Sequence, residues 1–488
     1  MATRAGNGSD VLLPWIGGAA HEGSGAKRED LISPWDASVV ATVAMADDAT
    51  IDAAVASSRA AFLAHRHATP AVRSQWLKAA ADEAEKVKDE IIETTIRALG
   101  KPRRATGFEV NRTITFMRIC AEEVLRMEGE VLPLDALPMG AGRFGFTKRM
   151  PYGVVAAFTP FNAPSNLLMQ KVAPAVATGN AVVVKPAFEG IGEALLLARA
   201  FSAAGVPPGM VNVLACRRNH AGHFVGHPDV ALVTLTGGTA AGHALAAAAG
   251  AKPFVGELGG NSANIVCADA NLADAAGRIA GSAFEASGQQ CISAQRVIVE
   301  ETVLDEFLEH FVAAAKALKV GDPDDTATDL GPMVNPGAAD RVEAMVKEAV
   351  ARGATAALPL KRDGCTIWPT IVVGAAADSR VVAEEIFGPV AAVIPAADVD
   401  DAIRIANDSE FGLQSACFTA SLETAFKMSD QLNVGSVWIN EGSRFRMDTT
   451  PFGGVGASGY GREGVKYALE EFSQWKFTGI RFPGREPG

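Results

Sequence analysis

From residue 150 onward the chain repeats one texture: short, unbroken β-branched runs bounded by Gly, Pro and Asn, with Ala/Leu-rich stretches between them. GVVAAFT, NAVVVKP, MVNVLA and VALVTLTGG form the first set. Each run is continuous rather than alternating, as expected of a strand covered on both faces. Strands alternating with helical segments imply a parallel α/β sheet. ANIVCADA, QRVIVEE, PTIVVG and VAAVIPA, with helices expected through Asp305–Leu318 and Asp340–Gly353, form a second set. Two α/β units are therefore predicted, and 488 residues are enough for two or three domains.

The first 130 residues read differently. DDATIDAAVASSRAAFLAHR opens with acids and carries apolar positions at helical spacing. Residues 70–130 read as further helices that cover a core, with Leu77, Ala80, Ala84 and Val87 on one face. Segments 130–150 and 474–488 alternate apolar residues with no neighbouring element to pair with, which suggests an extended arm used between subunits.

Several function classes are disfavoured. The formal charge of −12 opposes binding to phosphate backbones, so no nucleic-acid partner is expected. The most apolar stretch, Val154 to Val184, is broken by Pro160, Asn162, Pro164, Asn166, Lys171, Pro174 and Asn180, so no membrane span is expected. Six Cys in this length do not make a disulfide scaffold, and without an export signal they suit a reducing cytoplasm. No metal site is expected.

Five short motifs carry chemistry. Thr236-Gly237-Gly238-Thr239-Ala240-Ala241-Gly242 follows a strand and opens an Ala-rich helix. Such a turn brings backbone N–H groups and a helix N-terminus to a pyrophosphate, although alone it is equally a tight connection. His243 and Ala244 stand where a P-loop has Lys and Ser/Thr, which disfavours nucleotide hydrolysis. Cys291, within SGQQCIS, can present a thiolate, or it is a small buried hydrophobe. Glu257, before Leu258-Gly259-Gly260-Asn261, becomes a usable base if partly buried. In Thr159-Pro160-Phe161-Asn162-Ala163-Pro164 two prolines stiffen a loop that can hold the Asn162 amide as an oxyanion donor, or simply form a turn. Glu384-Glu385-Ile386-Phe387-Gly388-Pro389 sets an acid and an aromatic two residues apart, which suits a ribose and a flat ring.

Together, and in this order, these motifs resemble the NAD(P)-dependent aldehyde dehydrogenase superfamily over nearly the whole chain, with a PFN rather than a PWN motif. TPFNAPSNLLMQKVAPAVATGNAVVVKP, GELGGNSANIV, SGQQCISAQRV and EEIFGPV carry the likeness. The resemblance implies a Rossmann-type cofactor domain (1–129 and 150–258), an α/β catalytic domain (259–457) and a β-strand oligomerisation arm (130–149 and 474–488) that builds a homodimer or homotetramer. It implies Cys291 as nucleophile, Glu257 as general base and Asn162 as oxyanion donor. Thr159, Pro160, Phe161, Lys185, Gly237, Gly238, Gly242, Glu385 and Phe387 are the implied cofactor residues. The implied reaction takes an aldehyde to the carboxylic acid through a thiohemiacetal and a thioester on Cys291. CoA-acylating relatives lack a base at this position, so Glu257 favours hydrolysis. A non-catalytic binding protein on the same scaffold is the rival from another class.

Two details depart from many relatives. Phe188 stands where NAD-preferring members place a ribose-binding Glu. The cofactor is then NAD or NADP, and the absence of an extra Arg or Lys beside Lys185 leans to NAD. The expected substrate wall is Ala163, Asn166, Leu167, Gln170, Gln290, Ile292, Phe452 and the loop 442–446, more polar than an alkyl aldehyde needs. Either Arg444 or Arg446 is expected to grip a remote anionic group, unless it is spent on packing or solvent.

Overall fold

The computed structural model describes residues 11–23 and 27–484. Positions 1–10 and 24–26 of the expected cofactor domain and 485–488 of the expected arm lie outside the described residues.

Strand Val154–Thr159 is buried at every position and sits near the middle of an eight-stranded sheet. It pairs in parallel with Ala181–Pro186 on one side and Val230–Thr236 on the other. Val211–Val213 extends one flank and Phe254–Glu257 the other, both parallel. These are the four runs read from the sequence, together with KPFVG. The register places Phe158 opposite Lys185 and Thr236 opposite Glu257. Thr159, Lys185, Thr236 and Glu257 therefore finish their strands along one carboxyl edge, the edge where open parallel sheets bind ligands.

The second sheet has seven strands. Ser262–Val266 lies between Ala294–Glu300 and Gln414–Phe418, with Val390–Ala396, Thr370–Val373 and Ser436–Ile439 also parallel. The chain crosses from the first sheet to the second between Glu257 and Ser262. Gly459–Tyr460 then returns to the first sheet as an antiparallel edge, and helix Val465–Glu471 packs on helix Pro164–Thr178. Residues 458–472, which the sequence left unassigned, thus close the first unit.

The two segments expected to lack partners find each other. Ser473–Arg481 runs antiparallel to Arg143–Pro151 along its whole length, and Val131–Leu132 pairs on the far side.

The N-terminal helices form as read. Asp47 caps helix Asp48–His65 by accepting from the Thr50 N–H at 2.9 Å. One expectation changes. Helix Arg103–Glu123 buries Thr106, Glu109, Val110, Thr113, Phe116, Met117 and Cys120 on one stripe. A carboxylate on that stripe means the helix does more than cover a core.

Candidate active site

Cys291 follows helix Leu272–Phe284 through a strained turn. Ala286 and Ser287 hold φ of 52° and 59°, and Gly288 holds 64°. Left-handed non-glycine residues cost about 1–3 kcal/mol each and persist only where their surroundings over-determine them. Here Ser287 Oγ donates to the Gly331 carbonyl at 2.7 Å. A Cβ on Gly288 would lie 2.1 Å from the Gly388 carbonyl oxygen, and one on Gly260 would lie 2.1 Å from that of Cys291. Gly260 in the 257–261 crossing is thus required because the cysteine loop packs directly on it, whereas a Cβ on Gly259 would meet the Glu385 and Thr239 side chains at 2.9 Å. The pairing of Ser262 with Ala294 aligns the two segments.

That packing brings Cys291 Sγ to 3.1 Å from Glu257 Oε1, with the thiol donating. Cys291 keeps part of its surface open, whereas Glu257 is only 2% exposed. Burial, then the Glu257 charge, holds the thiol well above its usual range. Burial, then the charge of Glu463, pushes Glu257 up to about 7, against the opposing pull of Arg446 and Lys171. The resting pair is a protonated thiol beside a carboxyl group poised near neutrality, which suits proton transfer in either direction. Asn162 borders the same space. Its side-chain oxygen is buried without a protein partner.

A cleft of about 720 Å³ runs from Cys291 along the carboxyl edge of the first sheet to the helix Thr239–Ala249. Thr159, Pro160, Phe161, Lys185, Gly237, Gly238, Glu385 and Phe387 all line it, as expected. Glu385 Oε1 accepts from the Gly260 N–H at 3.0 Å, and burial pushes this carboxyl up to about 7. Phe387 sits at φ 50°, edge-on to Phe161 with ring centres 5.8 Å apart. Arg341, not foreseen, anchors that loop by donating to the Glu385 and Ile386 carbonyls. Gly242 corrects an expectation: it does not line the cleft. A Cβ there would lie 2.4 Å from Leu258 Cδ2, so this glycine lets the helix pack close to the chain behind it. The buried Thr159 hydroxyl, free of protein partners, and the turn glycines at a helix N-terminus fit a dinucleotide.

The lean to NAD rested on the lack of a basic residue beside Lys185 along the chain. In space Arg218 lines the same cleft. Burial lowers the Lys185 ammonium and Arg218 pushes the same way, although Cys216 and Glu189 oppose.

On the other side of Cys291 lies a smaller cavity of about 90 Å³. Asn166, Gln290, Ile292, Arg444, Arg446 and Phe452 line it, as do Ala163 and Leu167. The Asn166 side-chain nitrogen is buried with no protein partner. Gln170 stands one layer back. It is wholly buried and donates to Asp448 Oδ1 at 2.9 Å. Arg446 donates to Glu463 at 2.9 Å and lies 3.7 Å over the Phe452 ring, while its buried Nε has no protein partner. Burial alone would raise Glu463, but Lys171 and Arg446 push it down to about 2. Arg444 forks onto Glu285 and donates to Gln290 at 2.9 Å. Arg112, which the sequence gave no reason to select, also lines the cavity, and its Nε and Nη2 donate to Asp448 at 2.9 and 2.6 Å. The one signal for it was the buried charge at Glu109, which turns this helix face toward a polar site.

The model of the aldehyde dehydrogenase family matches residues 21–478. A 3-sulfolactaldehyde dehydrogenase from Priestia aryabhattai is 38% identical over 450 residues, covering 92% of this chain and 94% of its own. Aldehyde dehydrogenase 21 from Physcomitrella patens, solved with succinate as reaction product, is 34% identical with a TM-score of 0.94, covering 98% of this chain and 99% of its own. An NADP-dependent glyceraldehyde-3-phosphate dehydrogenase from Bacillus halodurans, solved with NADP, is 32% identical with a TM-score of 0.94, covering 97% and 99%. The chain belongs to the aldehyde dehydrogenase family. It is an oxidoreductase that takes an aldehyde to the acid with NAD or NADP.

Proposed function

We propose that Cys291, Glu257 and Asn162 perform the oxidation of a small anionic aldehyde, with Arg112 and Arg444 facing its charged end. The observation that carries the reading is the Sγ–carboxyl contact of 3.1 Å where the large cleft meets the small cavity. Glu257 takes the thiol proton and passes it on. The sulfur adds to the aldehyde carbon, and the new oxyanion is held by the Asn162 amide and the Cys291 N–H; one such donor contributes about 2.7–4 kcal/mol. The bound dinucleotide supplies the hydride acceptor, and the protein supplies position and field. Glu257 then deprotonates a water that attacks the thioester, the acid leaves, and the sulfur is regained. A base at this position favours water over a CoA thiol as acceptor.

The substrate class rests on four cations in the cavity wall, Lys101, Arg112, Arg444 and Arg446, against Glu109 and Glu257. All three guanidinium groups are oriented by carboxylates, Arg112 by Asp448, Arg444 by Glu285 and Arg446 by Glu463, so a carboxylate, sulfonate or phosphate would share them with these acids. The relatives named above act on or were solved with molecules that carry such groups. The test is kcat/KM for succinic semialdehyde against hexanal, followed at 340 nm. Arg112→Ala and Arg444→Ala should each cut the preference for the anion by about 10–100-fold. An unchanged ratio removes the anionic reading, and undiminished activity in Cys291→Ser removes the thiolate.

For the cofactor, Arg218 with Lys185 beside the neutral Phe188 supports acceptance of a 2′-phosphate, and so NADP in place of the NAD the sequence leaned to. Calorimetry of 2′,5′-ADP against 5′-AMP isolates that group. Arg218→Ala should weaken only the former. Equal affinity of the wild type for both would return the preference to NAD.

The arm strands and the free edge of Ser436–Ile439 support a homodimer or homotetramer. Six free cysteines support a reducing, cytoplasmic setting. Among the described residues no helix is long and apolar enough to cross a membrane.

A further inference from the structure

The Asn162 amide makes no hydrogen bond of its own to the protein among the described residues, and its oxygen is buried without a partner. An oxyanion donor works only if it is fixed before charge develops. What fixes this one lies behind it. Lys101 Nζ donates to the Asn162 main-chain carbonyl at 2.9 Å. The same ammonium pairs with Glu109, and both side chains are enclosed, 10% and 6% exposed. The other Glu109 oxygen accepts from the Ser165 and Asn166 N–H groups at 2.8 and 3.1 Å, the first turn of the helix Pro164–Thr178 that follows Asn162. One ion pair thus grips the segment 162–166 at both ends.

Lys101 is itself placed with care. It follows Gly100, the left-handed cap at φ 63° of helix Lys88–Leu99. A Cβ on Gly331 would lie 2.0 Å from the Gly100 carbonyl oxygen. Gly331 is also the residue whose carbonyl accepts from Ser287 in the turn before Cys291. The contacts form one line from the cysteine turn through Ser287, Gly331, Gly100 and Lys101 to Asn162. A buried ion pair is weak support for stability, since desolvation offsets its attraction. Its placement between the nucleophile loop and the oxyanion loop gives it a different use.

We infer that Lys101 and Glu109 are positioning residues that hold the Asn162 amide in register with Cys291. The inference rests on the Cys291 and Asn162 roles proposed above. Three reactions separate the roles. Aldehyde oxidation and acylation by p-nitrophenyl acetate both pass through an oxyanion on the Cys291 adduct; the ester needs no dinucleotide and expels p-nitrophenolate. Alkylation by iodoacetamide displaces iodide and forms no oxyanion. Lys101→Met and Glu109→Gln should lower kcat for oxidation and the acylation burst together, by about tenfold or more. Alkylation at Cys291, read by mass spectrometry, and dinucleotide affinity should stay within about twofold. Lys101→Arg should recover most of the acylation rate, and it carries the test if Lys101→Met does not fold. Unchanged acylation overturns the inference, as does alkylation that falls in parallel, which would mark a general loosening of the site. A wild type left unlabelled at Cys291 would instead strike at the nucleophile assignment, and this inference would fall with it.

Discussion

At Glu257, folding and chemistry pull in opposite directions. Burial, then Glu463, raises its carboxyl to about 7 from an ordinary value of 4.5. The folded state therefore holds this proton more tightly than the unfolded chain. Stability from that proton is fully present below about 4.5 and is lost as pH rises through about 7. A glutamine has no proton to lose, so Glu257→Gln should gain melting temperature over wild type, and the gap should widen between pH 5 and pH 8. Thermal unfolding at the two pH values checks this; a gap that narrows would contradict the account of the raised carboxyl. The same carboxyl must be ionised to activate water. Breakdown of an acyl-enzyme formed from p-nitrophenyl acetate should accelerate as pH passes about 7 and then level off, and in Glu257→Gln it should be slow and flat. On the proposed oxyanion role, Asn162→Ala should cost about 10²–10³ in kcat. A loss of only about twofold would place the oxyanion elsewhere.

At the scale of elements, the crossing between the sheets is where substitution should hurt activity more than folding. Gly260 meets the Cys291 carbonyl so closely that an added Cβ would lie 2.1 Å from it, and backbone cannot swing aside as a side-chain tip can. Gly260→Ala should shift the cysteine loop by a fraction of an ångström to an ångström and cut kcat by about 10²-fold. Gly242→Ala meets the buried Leu258 side chain rather than backbone and should be milder, acting on dinucleotide affinity through the helix Thr239–Ala249. Comparing kcat and dinucleotide Kd in the two variants checks the contrast. These elements also show what the sequence discloses. The continuous apolar runs at 154–159, 181–186 and 230–236 are strands buried on both faces, and the residues that end them were legible as site residues. Gln414–Phe418 is equally buried yet was not read as a strand. Its polar side chains are satisfied only in three dimensions, with Gln414 donating to the Phe445 carbonyl at 2.9 Å and accepting from Ser436 at 2.5 Å. Lys101, Glu109, Arg112 and Asp448 escaped for a related reason. Their roles come from partners 61, 56, 336 and 278 residues away, and no local pattern encodes such a pairing.

For the whole molecule, the question is what covers the arm. Val131–Leu132, Arg143–Pro151 and Ser473–Arg481 make a three-stranded sheet that projects apolar side chains to solvent, with Trp475 and Phe477 about half exposed. A sheet this small is marginal without cover, and an exposed apolar face of this kind marks an interface. Ser473–Arg481 is also an edge strand, as is Ser436–Ile439 in the catalytic sheet, and unpaired edges invite pairing with another chain. A second copy of this chain answers both needs, because it brings an apolar surface and a strand edge at once. Phe477→Asp puts a charge on the middle of the arm, where Phe477 pairs with Thr147. If the proposed oligomer forms through the arm, the substitution should convert it to monomers in light scattering coupled to gel filtration. It should also make the melting temperature lower than wild type and independent of protein concentration, since subunit association no longer stabilises the fold. An oligomer of unchanged mass would show that the arm lies open and that assembly uses another face. Because Cys291 and Glu257 sit between the two sheets of one chain, the freshly diluted monomer should still acylate with p-nitrophenyl acetate, so loss of mass and loss of chemistry can be read apart.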